Sequence, residues 1–151
     1  MRLASQPRAC DDIELCQAEC SADSACQAYS YNRISSSCEL KHTLTAMRLD
    51  PVWVSGAPTN GALPDRSSRA VTMAEYELPG DQFLEGETLD TAQAANEKDC
   101  ERRCESDRSC MAVEYINSTD QCRRLSGITG LRRRLAGETQ IEARYLIKRQ
   151  Q

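Results

Sequence analysis

The chain is poor in the side chains that build ordinary cores. Leu, Ile, Val and Phe supply 24 of its 151 residues, with a single Phe among them. That is about 16%, under the ~20% below which chains tend towards disorder. Aromatics make up 5%, and there is one Trp. A single large apolar core of ordinary kind is therefore not expected. Charge-driven disorder does not fit either, because the net charge is only −4. No apolar run approaches the ~20 residues needed to cross a bilayer, so no membrane-spanning helix is expected. The first nine residues hold no apolar stretch of signal-peptide length. There is one histidine, His42. A catalytic base needs a nucleophile and an orienting group beside it. Ser35, Ser37 and Thr43 lie near His42 only in sequence, so it reads as a surface or turn residue.

What the chain has instead is cysteine, nine residues in all. Covalent stapling is the remaining way to order so lean a chain, and it belongs to oxidising compartments. Stapling without a visible export signal points to a processed chain or a piece of a longer exported one, extracellular or periplasmic. Charge is also uneven. Residues 122–151 carry +6 and the other 121 residues −10. The acidic bulk argues against nucleic acid as a partner.

The cysteines fall into two sets with one spacing. Cys16, Cys20, Cys26 and Cys38 follow C-x3-C-x5-C-x11-C, and Cys100, Cys104, Cys110 and Cys122 repeat it 84 residues later. Asp23 and Asp107, Ala28 and Ala112, and Tyr31 and Tyr115 match at the same offset. The chain thus reads as two copies of one small domain. Domain 1 spans 1–56, residues 57–70 read as a linker rich in turn formers, and domain 2 spans 71–151. The stretch Val71–Leu78 has no counterpart in copy 1, which therefore lacks its first strand.

In each copy a helix carries the first two cysteines at i and i+4, on one face. Asn96 and either Asp11 or Asp12 are suited to cap it, with Asp99 and Glu14 in the first turn. Ala92, Ala94 and Ala95 allow an earlier turn in copy 2. Strand-like alternation follows over Cys26–Tyr31 and Cys110–Ile116. Polar turns come next, at Asn32–Ser37 and Asn117–Gln121, and the fourth cysteine opens another strand. Val52–Val54 and Ile141–Ile147 read as the final strands. Val71–Leu78 is an additional strand before the Pro79-Gly80-Asp81 turn. Four cysteines permit three connectivities, and the six-residue step from second to third favours nesting. A loop of about 22 residues closed in this way contributes roughly 3 kcal/mol. Zinc is disfavoured, because the x5 and x11 gaps form no second ligand pair. No cofactor is indicated.

This pattern resembles the PAN/Apple family. The carrying residues are the C-x3-C pair, an Asp three residues past it, C-x-A-x-x-Y, and a fourth cysteine twelve residues after the third. Cys38-Glu39-Leu40-Lys41 is close to the family's C-x-L-K, whereas Cys122-Arg123-Arg124-Leu125 departs from it. Tyr76–Phe83 looks like the family's opening strand and turn. The resemblance covers residues 10–56 and 71–147. It implies an α+β fold, a short helix on an antiparallel sheet of about four to five strands, with disulfides Cys16–Cys38, Cys20–Cys26, Cys100–Cys122 and Cys104–Cys110. It also implies a non-catalytic module that binds protein or carbohydrate, usually beside another domain.

Several residues are candidates for more than structure. Cys10 is the odd thiol and is expected to be free, or paired with another chain or segment. Through it or an open sheet edge, a structural subunit or homo-oligomer is the alternative reading. An accessory domain of a larger exported enzyme is another. Arg132, Arg133 and Arg134, with Arg123 and Arg124, are suited to a sulfate or carboxylate on a glycan. The competing reading is a solvated loop that balances Glu97, Asp99, Glu101 or Glu105. Leu131 and Leu135 at i, i+4 allow a helical turn there. Tyr29 and Trp53 are the candidates for an exposed aromatic face, while Tyr31 and Tyr115 are expected in the core. Asn117-Ser118-Thr119 is a glycosylation sequon, relevant in a eukaryotic secretory host.

Overall fold

The computed structural model describes residues 7–9, 12–58, 61–78, 81–138 and 142–150. In the first copy, Asp12 caps a helix by accepting a 2.9 Å hydrogen bond from the Leu15 N–H. This helix, α1 (Ile13–Ala22), ends where Asp23 turns the chain. The Asp23 carboxylate accepts from the Ala25 N–H at 3.0 Å, and its carbonyl accepts from the Cys26 N–H at 2.9 Å. Asp107 repeats both bonds, to Ser109 at 2.9 Å and Cys110 at 3.1 Å. The matched aspartates therefore build the six-residue step between the second and third cysteines.

Short antiparallel strands follow: β2 (Ala28–Asn32), β3 (Ser37–Lys41) and β4 (Trp53–Gly56), with β1 (Pro7–Ala9) preceding the helix. The sheet order is β1-β3-β2-β4. Each β2 residue from Ala28 to Asn32 pairs with β3 from Lys41 to Ser37. The hairpin closes through Ser36, whose φ is 51°, and the equivalent Asp120 has φ 55°.

The second copy is larger. It comprises β5 (Val71–Tyr76), β6 (Gln82–Gln93), α2 (Glu97–Glu105), β7 (Ala112–Ile116), β8 (Gln121–Arg133) and β9 (Ala143–Gln150). These strands form one antiparallel sheet in the order β5-β9-β7-β8-β6. Asn96 caps α2 by accepting from the Asp99 N–H at 2.9 Å, while Asp99 reaches back to the Ala95 N–H. The backbone divides into two compact units, Met1–Ser68 and Arg69–Gln151.

Sulfur fills the space between helix and sheet. The core of unit 1 is Cys16, Cys20, Cys26, Cys38, Tyr29 and Leu40, with Ile13 and Tyr31 against it. That of unit 2 is Cys100, Cys104, Cys110 and Cys122 with Ala94, Val113, Tyr115 and Leu146, and Met73 against it. Disulfides join Cys16–Cys38, Cys20–Cys26, Cys100–Cys122 and Cys104–Cys110, in the same nested order in both units. The Cα–Cα separations are 5.1–5.7 Å, within the range a disulfide bridges.

Several expectations are corrected. Ala92 lies in β6 opposite Cys122, and Ala94 is buried in the core, so no earlier turn forms there. Leu131 lies in β8, Leu135 is 66% exposed, and Arg132 and Arg133 are strand with Arg134 just past its end, so no helical turn forms there. Strand pairing to Phe83 and Leu84 overrides the i, i+4 pattern. The last strands start at Trp53 and Ala143, and β5 stops at Tyr76. In the stretch expected as a linker, Ser67 donates a 2.6 Å backbone bond to Met47, which ties it to unit 1. Asp11, Pro79, Gly80 and Ile141 lie outside the described residues.

Candidate functional site

The face of the unit 2 sheet away from α2 is also covered, and the cover comes from the sheet itself. Ala112, Leu125, Ile128, Tyr145, Ile147 and Leu84 are all at most 3% exposed. On β8, Arg123 pairs with Thr91 of β6, whereas Leu84 pairs with Leu131. Leu84 is thus seven residues further along β6, about 23 Å on a flat strand. Yet the Arg123 guanidinium donates to the Leu84 carbonyl at 3.2 Å and to Thr88 Oγ1 at 3.2 Å. The β6–β8 ribbon must therefore curl back over the sheet.

Three register irregularities permit the curl, between Glu85 and Gly86, Glu87 and Thr88, and Thr88 and Asp90. Gly86 makes the closest approach. A Cβ there would lie 2.0 Å from the Gly127 carbonyl oxygen. Only glycine lets the two backbones meet.

Under the curl lies a charged network. Arg123 donates to both oxygens of Glu114, at 3.1 and 3.2 Å. Tyr145 donates to Glu114 Oε2 at 2.7 Å. Burial, and then that bond, push the Tyr145 phenol well above its usual range. Arg132 lies 4.9 Å over the Phe83 ring and donates to Glu138 Oε1 at 2.7 Å. That hydrogen bond, helped by the Leu135 N–H, holds the Glu138 carboxyl below the usual range. The network borders an open cleft of about 460 Å³, lined also by Glu85, Gly86, Ile116, Thr129 and Ala143. That size is in the range of small-ligand pockets.

The expected site residues distribute unevenly. Arg123 and Arg132 come together in this pocket, but Arg123 is committed to staple the arm. Arg133 and Arg134 are exposed beyond it, and the Arg134 N–H caps the Asp81 carbonyl at 2.7 Å. None of the acidic residues named as balancing partners meets the 132–134 run: Arg132 pairs with Glu138, and Arg124 with Asp90 and Asp107. Tyr29 is 7% exposed, its ring lying where a Cβ on Gly56 would be, so it belongs to the core and not to a binding face. Trp53 is half-buried on β4. Asn117 is exposed in the β7–β8 turn. His42 meets the Asp23 carboxylate at 3.3 Å. Cys10 lies outside the described residues. Among the described residues no group of three or more His, Cys, Asp or Glu is placed to hold a metal.

Nothing in the local sequence marks Glu114, Tyr145, Phe83, Thr129 or Glu138. Their roles depend on the curl, and the local hints of it are glycines inside strands, Gly86 in β6 and Gly127 and Gly130 in β8.

Fold and site together define a small α+β module, present twice, in which nested disulfides hold one helix on an antiparallel sheet. The family model for the PAN domain matches residues 3–56 and 74–145, and the chain belongs to that family as a tandem pair. PAN domains are protein- or carbohydrate-binding modules. A solution structure of the two N-terminal apple domains of Toxoplasma gondii microneme protein 4 is similar, at 15% identity over 95% of this chain and 84% of that one, with a TM-score of 0.31. No curated protein matches the chain. No helix among the described residues is long and apolar enough to cross a membrane.

Proposed function

We propose that this chain is a non-catalytic recognition module that works in an oxidising compartment, extracellular or periplasmic, and binds protein or carbohydrate through the pocket of unit 2. The observation that carries the reading is the curled β6–β8 arm. It sets Arg132, Glu85 and Thr129 around a cavity on a sheet that two disulfides tie to α2. Membership of a binding family and the four disulfides support the same reading. The described contact of His42 is a turn aspartate, which supports a structural role for the lone histidine.

Assembly by edge pairing of unit 1 has less behind it. β4, the edge strand beside β2, is only four residues long, a short template for an added strand. The test is a glycan and protein binding screen on oxidised protein. Retention that is lost after reduction and in Arg132→Ala supports the proposal. Binding that survives both contradicts it.

A further inference from the structure

The duplication allows the two units to be compared position by position, and they differ at the pocket. Glu114 and Arg123 correspond, at the 84-residue offset, to Ser30 and Glu39. Tyr145 pairs with Glu114 as Ser55 pairs with Ser30, so Ser55 holds the place of Tyr145. The acid–phenol contact of unit 2 becomes a 3.0 Å contact between two serine hydroxyls. Lys41, paired with Glu39 at 2.8 Å, stands where Leu125 is buried. β3 stops at Lys41, whereas β8 runs on from Leu125 to Arg133 and carries the arm. Ser55 is exposed and Ser30 half-buried, and no strand extension of the β8 kind follows β3 among the described residues.

The lining of the unit 2 pocket also sets the kind of ligand. Glu85, Glu114 and Glu138 outnumber Arg123 and Arg132. Arg123 is spent on the arm, and Arg132 is already met by Glu138. An anionic ligand would meet a surplus carboxylate, which opposes the sulfate or carboxylate suggested by the arginine run. Glu85 offers an acceptor, Thr129 a hydroxyl, and Arg132 its remaining N–H groups. These suit a neutral ring rich in hydroxyls.

We infer that the pocket under the β6–β8 arm takes such a ligand, and that the matching place in unit 1, at Ser30, Glu39 and Ser55, does not. The inference rests on the binding role proposed above. The test is a titration of oxidised, ¹⁵N-labelled full chain with neutral methyl hexopyranosides and with methyl glucuronide, followed by amide shifts. The expected result is saturable shifts at residues 83–86 and 129–132, and several-fold weaker binding of the glucuronide there. Ser30, Glu39 and Ser55 stay unmoved. Arg132→Ala and, separately, Thr129→Val and Glu85→Gln weaken the response while the spectrum stays dispersed. Comparable shifts at Ser30, Glu39 and Ser55, tighter binding of the glucuronide, or no response from any glycoside overturns it. A positive protein screen with silent glycosides would sink this inference and leave the recognition role standing.

Discussion

Leu40 and Arg124 occupy the same place in the two units and do different work. Leu40 is 4% exposed and packs with the cysteines of unit 1. Arg124 instead bonds Asp90 at 2.9 Å and Asp107 at 2.7 Å, tying β6 to the turn after α2. A charged clamp has replaced an apolar contact. The clamp has a pH signature. Asp90 is held low chiefly by Arg124, and Asp107 chiefly by the Ser109 N–H, then by Arg124. Carboxyls depressed in the folded state stabilise it above their unfolded value, about 4, and lose that contribution as pH falls through the folded values. The melting temperature should therefore drop on acidification below about pH 4, and less steeply in Asp107→Asn, which keeps the turn acceptor but not the charge. An unchanged melting temperature down to pH 2 would contradict the clamp.

The phenols behave in the opposite sense. The bond to Asp120 pushes Tyr115 up to about 12, and Tyr145 is raised as well. Their contribution is full below the unfolded value of about 10 and disappears as pH rises through the folded values. Phenolate absorbance should show these two tyrosines resisting ionisation until the fold is lost at alkaline pH. Early ionisation of all five would count against the Tyr115–Asp120 and Tyr145–Glu114 bonds.

At the scale of elements, legibility followed local pattern. The helices, β2, β3 and β7 could be read because i, i+4 cysteines, capping residues and short alternations are local signals. The strand β6 could not. Its second half, Glu87–Gln93, is exposed throughout, and its bulges break any period of two. Nothing beside Tyr29 in sequence reveals Gly56, its neighbour across the sheet, so local sequence alone does not bury it. Arg123 and Arg132 stand out in sequence by their charge, but the curl that brings them together is a long-range event. That curl depends on Gly86. In Gly86→Ala the new methyl meets backbone, which has no freedom to move aside. We expect a loss of about 1–3 kcal/mol, the usual cost of overpacking, and weaker protection of Leu84 and Tyr145. Denaturant unfolding with amide exchange checks this, and a neutral substitution would mean that the arm does not lie on the sheet.

For the molecule as a whole, each unit has its own helix, sheet and cysteine core. Residues 69–151 expressed alone should oxidise to two disulfides and unfold cooperatively. A chain this lean has little to replace those bonds. Removing Cys100 and Cys122 together should cost roughly 3 kcal/mol for a loop of that length, a large share of a small domain's stability. Peptide mapping of the unreduced protein tests the central claim most directly. The account predicts four linked pairs, Cys16–Cys38, Cys20–Cys26, Cys100–Cys122 and Cys104–Cys110. Crossed pairs, or free thiols at these eight positions in folded protein, would contradict it.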